Sequence, residues 1–212
     1  MTEKGIEARY FLGDAIGYLD GAAEVLAMLR ACGAPCQKGN HDAMLLGELP
    51  IAPARERVYR LAEARSNCAP EDLATLAAWP DRREIEFDGL RILLAHGSPA
   101  PSITEYVWPD TPIVLPDGFA FDMVFLGHTH RPFVRQHGAV TVVNCGSSGL
   151  PRDRGDLALF ALLDTHAREV RIMRVPFDRE RVLATVGAAA APEVRDVLHR
   201  QQAFFGERVP AS

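Results

Sequence analysis

Two histidines one residue apart follow an apolar run and a glycine in Val124-Phe125-Leu126-Gly127-His128-Thr129-His130-Arg131-Pro132. The run reads as a buried β-strand, and Gly127 lets the chain turn sharply at its end. In an extended segment His128 and His130 share a face, whereas a loop aims them at two neighbouring points. Neutral imidazole is a common ligand of divalent transition metals. Taken alone, His-x-His also fits a surface turn with two incidental histidines. Three further stretches repeat the pattern. Tyr10-Phe11-Leu12-Gly13-Asp14 ends in a carboxylate, Cys36-Gln37-Lys38-Gly39-Asn40-His41-Asp42 in Gly-Asn-His-Asp, and Ile92-Leu93-Leu94-Ala95-His96-Gly97 in His-Gly. Four strands thus deliver Asp, Asn or His at their C-terminal ends, where ligand sites form in open α/β folds. Asp14, Asn40, His96, His128 and His130 make a hard-to-borderline O/N donor set, suited to manganese, iron, zinc or a similar metal. None of the four terminal motifs offers a thiolate, which argues against a structural zinc knot.

The elements that must position these residues can be read around them. Ala8 to Leu12 is strand-like. Ala22, Val25, Leu26 and Leu29 recur at helical spacing within Gly21 to Cys32, with Gly33 as a stop. A short strand through Cys36 follows, so a parallel pair with a right-handed crossover is expected. Ala43 to Glu48 reads as a short helix. Residues 53–80 read as a two-helix cap over Pro53 to Arg65 and Pro70 to Trp79. It packs on the sheet or shapes substrate access. Asp88-Gly89 joins Glu84–Phe87 and Leu90–Ala95 into a hairpin. Ser98 to Gly118 is a long proline- and aromatic-rich loop between two motif strands. Its place suggests the rim of the site, where Glu105, Tyr106, Trp108 and Asp110 either contact substrate or pack locally. Ala139 to Val143 is a strand, and Asp156–Asp164 with Glu169–Pro176 a second hairpin. Helices over Arg179–Val186 and Glu193–Phe205 occupy the C-terminal region 178–212. The expected fold is α/β, a two-sheet mixed β-sandwich flanked by helices, in one domain over residues 1–212.

The 212 residues can bury a sizeable core. A net charge of -5 gives no reason to expect bulk nucleic-acid binding. It leaves a phosphorylated substrate open, since bound cations would dominate the local field. No run is long enough to span a bilayer, and the N-terminus lacks a signal-peptide pattern. Cys32, Cys36, Cys68 and Cys145 are scattered and read as reduced thiols of a cytoplasmic protein, with Cys32 and Cys36 as a zinc pair the alternative.

Gly13-Asp14, Gly39-Asn40-His41-Asp42, His96-Gly97 and Gly127-His128-Thr129-His130 resemble, in order, the later motifs of the calcineurin-like metallophosphoesterases. Gly13 to Tyr18, His96-Gly97-Ser98-Pro99, Arg131-Pro132 and Asn144 to Arg152 resemble a bacterial phosphodiesterase-like branch. The likeness runs from about Arg9 to about Pro176. It implies a four-layer metallophosphoesterase-like fold and hydrolysis of phosphate esters, with phosphodiesters of small-molecule or nucleotide type preferred. It also implies two divalent metals of the Mn2+, Fe2+/3+, Zn2+ or Ni2+ class. Asp14 would bridge them, Asn40, His96 and His128 would complete one site, and His130 would serve the other. By the same resemblance His41 lies near the leaving-group oxygen. Asp42 either orients His41 or caps the helix after it. Arg152, Ser147 and Tyr18 are the candidate substrate-binding residues. The Gly146-Ser147-Ser148-Gly149 loop offers backbone N–H groups to an anion, and Arg152 a fork to a phosphate oxygen. A salt bridge from Arg152 to Asp153 or Asp156 is the alternative.

One departure from the family pattern stands out. The family's first strand carries Asp-x-His, and none precedes Gly13-Asp14 here. Met1 to Gly5 reads as the tail of a helix, so the expectation is an upstream start, with a genuinely shortened natural protein the alternative, and an incomplete second metal site in this form. The sheet edge left beside Ala8–Leu12 is one that a second copy of the chain could fill. Three functions follow: a metal-dependent phosphoesterase; a module that kept the fold and lost the chemistry; and a single-metal esterase.

Overall fold

The computed structural model describes residues 5–203 and 205–209. The larger sheet contains β1 (Arg82–Phe87), β2 (Leu90–Ala95), β3 (Met123–Leu126), β4 (Phe133–His137) and β5 (Val140–Asn144), in the order β1-β2-β3-β5-β4. Both edge pairs are antiparallel, and the β2-β3 and β3-β5 pairs are parallel. A smaller mixed sheet has the order β6-β7-β8, from β6 (Leu157–Asp164), β7 (Glu169–Pro176) and β8 (Glu207–Arg208). All four residues of β3 are buried, as expected of a parallel strand covered on both faces. Alternation sorts the apolar side chains. Ile92, Leu94 and Phe125 meet Leu159 and Ile172 between the sheets. Leu93, Val124 and Leu126 point the other way, against Val107 and Ile113. The loop expected at the site's rim therefore also covers the outer face of the larger sheet.

Helices α1 (Ala22–Cys32), α2 (Asn40–Leu46), α3 (Pro53–Tyr59), α4 (Leu61–Asn67) and α5 (Pro70–Ala77) pack around Leu26, Leu45, Leu61 and Leu76. Helices α6 (Arg179–Val186) and α7 (Pro192–Leu198) form a separate apolar cluster with Val58 and Leu150. This is the two-sheet mixed α/β sandwich with flanking helices. Among the described residues no helix is long and apolar enough to cross a membrane.

Several expected elements need correcting. Ala8–Leu12 forms no ladder; one parallel bridge joins Phe11 to Cys36. Phe11 N donates to Pro35 O, and Gln37 N to Phe11 O, both at 3.1 Å. Pro35 has no N–H to offer, and the Gly39 loop follows two residues after Gln37, so there is room for little more than one rung. The helix expected from Ala43 begins at Asn40, which puts Asn40, His41 and Asp42 on a first helical turn instead of in a loop. Pro53–Arg65 is two helices, broken at Arg60 in the left-handed conformation (φ 56), so the cap has three helices. The last helix stops at Leu198 instead of Phe205; residue 204 lies outside the described residues, as does the expected helix tail over residues 1–4. Strand β4 carries no clear alternation and was not anticipated.

Candidate metal centre

The site is built where two loops meet backbone to backbone. A Cβ on Gly39 would collide with the Asp14 carboxylate, and one on Gly13 with the Gly39 backbone. Only glycine permits that approach, and it sets Asp14 beside the start of α2. Asp42 locks the junction from below. Its carboxylate, fully buried, accepts from Asp14 N at 2.8 Å, Ala15 N at 3.0 Å and Gly39 N at 2.8 Å. The capping role holds in altered form, because α2 starts earlier than expected: Asp42 caps it by reaching back from inside the helix, and also ties the two loops together. Asp14 Oδ1 in turn accepts from His41 N at 2.9 Å.

Asp14, His96 and His128 bring one ligand atom each to within 4.8 Å of one another. His96 Nε2 lies 3.2 Å from Asp14 Oδ2 and 3.2 Å from Asn40 Oδ1. His130 is set apart from that group, beside Tyr18 at a ring separation of 5.9 Å. The structure therefore gathers Asp14, Asn40, His96 and His128, and places His130 nearby on the side of Tyr18 and Arg152.

Each of these imidazoles has one nitrogen committed to a backbone carbonyl. His96 Nδ1 donates to Leu12 O at 2.7 Å, His128 Nε2 to Thr104 O at 3.2 Å and His130 Nδ1 to Leu150 O at 2.9 Å. A carbonyl can only accept, so the proton is fixed there and the opposite nitrogen keeps its lone pair. His96 Nε2 then faces two oxygens that can also only accept. Nothing satisfies that convergence except a proton on Nε2 or a cation among the three atoms. Carboxylate, amide oxygen and imidazole donors fit a divalent metal of the manganese, iron or zinc class. Sequence reasoning missed the three carbonyls, because backbone groups carry no residue-type signal.

The electrostatics follow the same layout. Burial works to raise the Asp14 carboxyl, but His96 and His41 outweigh it and hold it well below the usual carboxylate range. Burial lowers His96, yet Asp14 leaves its net pKa raised. Burial, helped by His96, lowers His128 to about 4; burial, helped by Arg152, lowers His130 to about 3. Burial also lowers His41. Three of the four site histidines are therefore neutral near pH 7 and have a lone pair available.

His41 stands next to this group. Its ring lies 4.7 Å from Tyr18 and 4.2 Å from Tyr59, and its buried Nδ1 has no partner. Arg152 Nη2 donates to the Tyr18 hydroxyl at 3.3 Å, while its buried Nε is unpartnered. Neither neighbouring carboxylate takes it: Asp153 pairs with Arg174 and Asp156 with Arg154. The Ser147 loop is less open than expected. Gly146 N is taken by Asn144 Oδ1 and Leu150 N by Ser147 Oγ, both at 2.9 Å. Fully buried Asn144 also donates to Gly127 O, pinning the start of the His-x-His turn. Asn144-Cys145-Gly146 follows an apolar strand just as the other motifs do, and that signal could have identified it. Tyr59, at the end of α3, had no comparable signal. A cleft of about 1120 Å³ runs from Tyr10 and Leu12, between Ile92 and Leu159, to His128 and His130.

The calcineurin-like phosphoesterase superfamily domain model matches residues 1–168. An uncharacterized protein from Methanocaldococcus jannaschii is 26% identical over 211 residues, 91% of this chain and 86% of the relative. A metallophosphoesterase from Sphaerobacter thermophilus shares the fold with a TM-score of 0.73 at 23% identity, covering 91% of this chain and 87% of that one. A hypothetical protein from Pyrococcus horikoshii does so with a TM-score of 0.76 at 19% identity, covering 96% and 87%. These two structural likenesses concern the fold. The family model spans well over half of the sequence, and the chain belongs to the calcineurin-like phosphoesterase superfamily.

Proposed function

We propose that the chain hydrolyses phosphate esters, preferentially phosphodiesters, in a metal-dependent reaction on small-molecule or nucleotide-type substrates. The observation that carries this reading is the convergence of His96 Nε2, Asp14 Oδ2 and Asn40 Oδ1 on one point, with His96 Nδ1 already committed to Leu12 O. Asp14, Asn40, His96 and His128 would hold one divalent ion, and Asp14 with His130 would reach a second. Such ions neutralise phosphoryl oxygens and lower the pKa of bound water.

The remaining work falls to groups already in place. The Arg152 guanidinium binds a phosphoryl oxygen through the edge not used by Tyr18. Tyr18 holds that guanidinium and packs on His41, fixing both. His41 is neutral near pH 7, which favours hydrogen-bond donation to the leaving oxygen over full protonation of it. Asp42 keeps the two loops in register.

The test is hydrolysis of bis(p-nitrophenyl) phosphate by the manganese-loaded chain. Asp14→Asn and His96→Ala are expected to lose turnover and metal retention together. Turnover that survives both substitutions, or thorough chelation, contradicts the reading. A single-metal esterase is the second reading, favoured by the position of His130 outside the tight group. One retained metal per chain with full turnover would select it.

A further inference from the structure

We infer that Tyr59, at the end of α3, is a positioning residue of the proposed reaction: its ring sets the plane of the His41 imidazole, and the break between α3 and α4 delivers it there. The inference rests on the phosphoesterase reading above, in which His41 serves the leaving oxygen.

The need for such a group comes from a contrast among the imidazoles of the site. His96, His128 and His130 each have one ring nitrogen held by a backbone carbonyl. His41 has no such anchor. Its buried Nδ1 has no hydrogen-bond partner, and the approach of the Ile16 carbonyl falls short of hydrogen-bond geometry. The His41 backbone is fixed, because its N–H donates to Asp14 Oδ1 at 2.9 Å. The ring torsion is not fixed by that bond, and in histidine it is broad and roughly two-fold. Contacts must therefore choose the plane of the ring. Gly17 lies so close to Nδ1 that a Cβ there would collide with it. Tyr18 lies 4.7 Å away at 36°. Tyr59 is nearer, 4.2 Å away at 46°.

Tyr59 is itself held in place by the break in the cap. In an unbroken helix the Tyr59 carbonyl would accept from Glu63 N. Arg60, left-handed at φ 56, ends α3 instead, and the Tyr59 carbonyl accepts from Tyr18 N at 2.8 Å. The Arg60 guanidinium pairs with Asp20 at 2.8 Å. The break is thus tied at two points to loop 17–20, the same loop that brings Gly17 and Tyr18 against His41. The Tyr59 ring meets Tyr18 edge-on at 5.4 Å and 80°. It also packs against two apolar clusters, one around Leu26 and Leu61 and one around Val58 and Leu150. A straight cap helix would serve packing as well, but it would not free the Tyr59 carbonyl for Tyr18.

The test measures kcat and KM of the manganese-loaded full chain on bis(p-nitrophenyl) phosphate and on diphenyl phosphate. Phenolate leaves less readily than nitrophenolate, so the second ester depends more on His41. Tyr59→Leu and Tyr59→Met remove the flat contact and stay apolar. Each is expected to lower kcat on diphenyl phosphate by about 10²-fold, the cost of misplacing a reacting group by about 1 Å. The loss on the nitrophenyl ester should be much smaller, with KM and retained manganese unchanged. Tyr59→Phe keeps the ring and should keep the wild-type ratio of the two rates. In a His41→Ala background Tyr59→Leu should cost nothing further, since the two residues act as a unit. Equal losses on both esters, an effect confined to KM, or a full loss in the His41→Ala background overturns the inference and leaves the phosphoesterase reading standing. Unchanged rates in both variants, or lost manganese, do the same. A wild-type chain that hydrolyses neither ester overturns the inference and the phosphoesterase reading together.

Discussion

Among the described residues, Asp14, Tyr18, His128 and His130 are four of the seven non-glycine residues with positive φ, at 58°, 66°, 63° and 58°. Such residues cost on the order of 1–3 kcal/mol each and cluster at functional sites. Their surroundings are correspondingly tight. Gly17 sits at φ 113°, and a Cβ there would collide with His41 Nδ1. Gly17→Ala is therefore expected to displace His41, lowering kcat by about 10²-fold or more while manganese affinity holds. Steady-state kinetics beside metal titration check this. Asp42→Ala strands three N–H groups, each worth about 1–3 kcal/mol when left buried and unsatisfied. A loss of at least about 3 kcal/mol in denaturant melts is expected. The residue types of the centre were legible in the sequence because four motifs repeat one grammar. The role of Asp42 was not. Its partners at Gly39, Asp14 and Ala15 are assembled by a tertiary contact between two glycine loops, which sequence spacing does not encode.

At the scale of elements, strands β2, β3, β6 and β7 were legible because their apolar runs and turn signals are local. Asp88 at φ 50° and Gly89 at φ 73° form the tight turn that Asp-Gly announces. The short segment at Phe11 was overcalled, since a run of apolar residues does not reveal how many rungs its neighbour can supply. The break at Arg60 was missed because Arg60 is a good helix former on propensity alone. The smaller sheet is secured by a pair that sequence patterning also missed. Arg174 on β7 is fully buried, donates to Asp153 at 3.0 Å and also donates to Phe205 O at 2.8 Å. Breaking such a pair leaves an uncompensated buried charge, so Asp153→Asn is expected to cost about 3–5 kcal/mol near pH 7. Burial raises Asp153, but the Arg174 guanidinium outweighs it and leaves the carboxyl lowered. A lowered carboxyl contributes stability that is complete above its unfolded pKa of about 4 and is lost as pH falls through the folded value. The wild type should therefore lose stability below about pH 4 more steeply than Asp153→Asn. Urea melts across that range read the difference.

In the whole molecule, the Gly13-Asp14 loop and the loops that leave the C-terminal ends of the larger sheet's parallel strands converge on one cleft, beside the start of α2. A metal that binds only the folded chain stabilises it by mass action, by about 2.7 kcal/mol at a hundredfold excess over Kd. For a chain of this size that corresponds to a rise in Tm of about 5–10 °C, which chelation should reverse in a thermal scan. The most direct test of the account is metal content per chain after manganese loading and desalting, for the wild type and for Asp14→Asn. The account predicts one or two manganese ions retained per wild-type chain and none in the variant. A wild-type chain that retains none, or a variant that retains as much as the wild type, would contradict it.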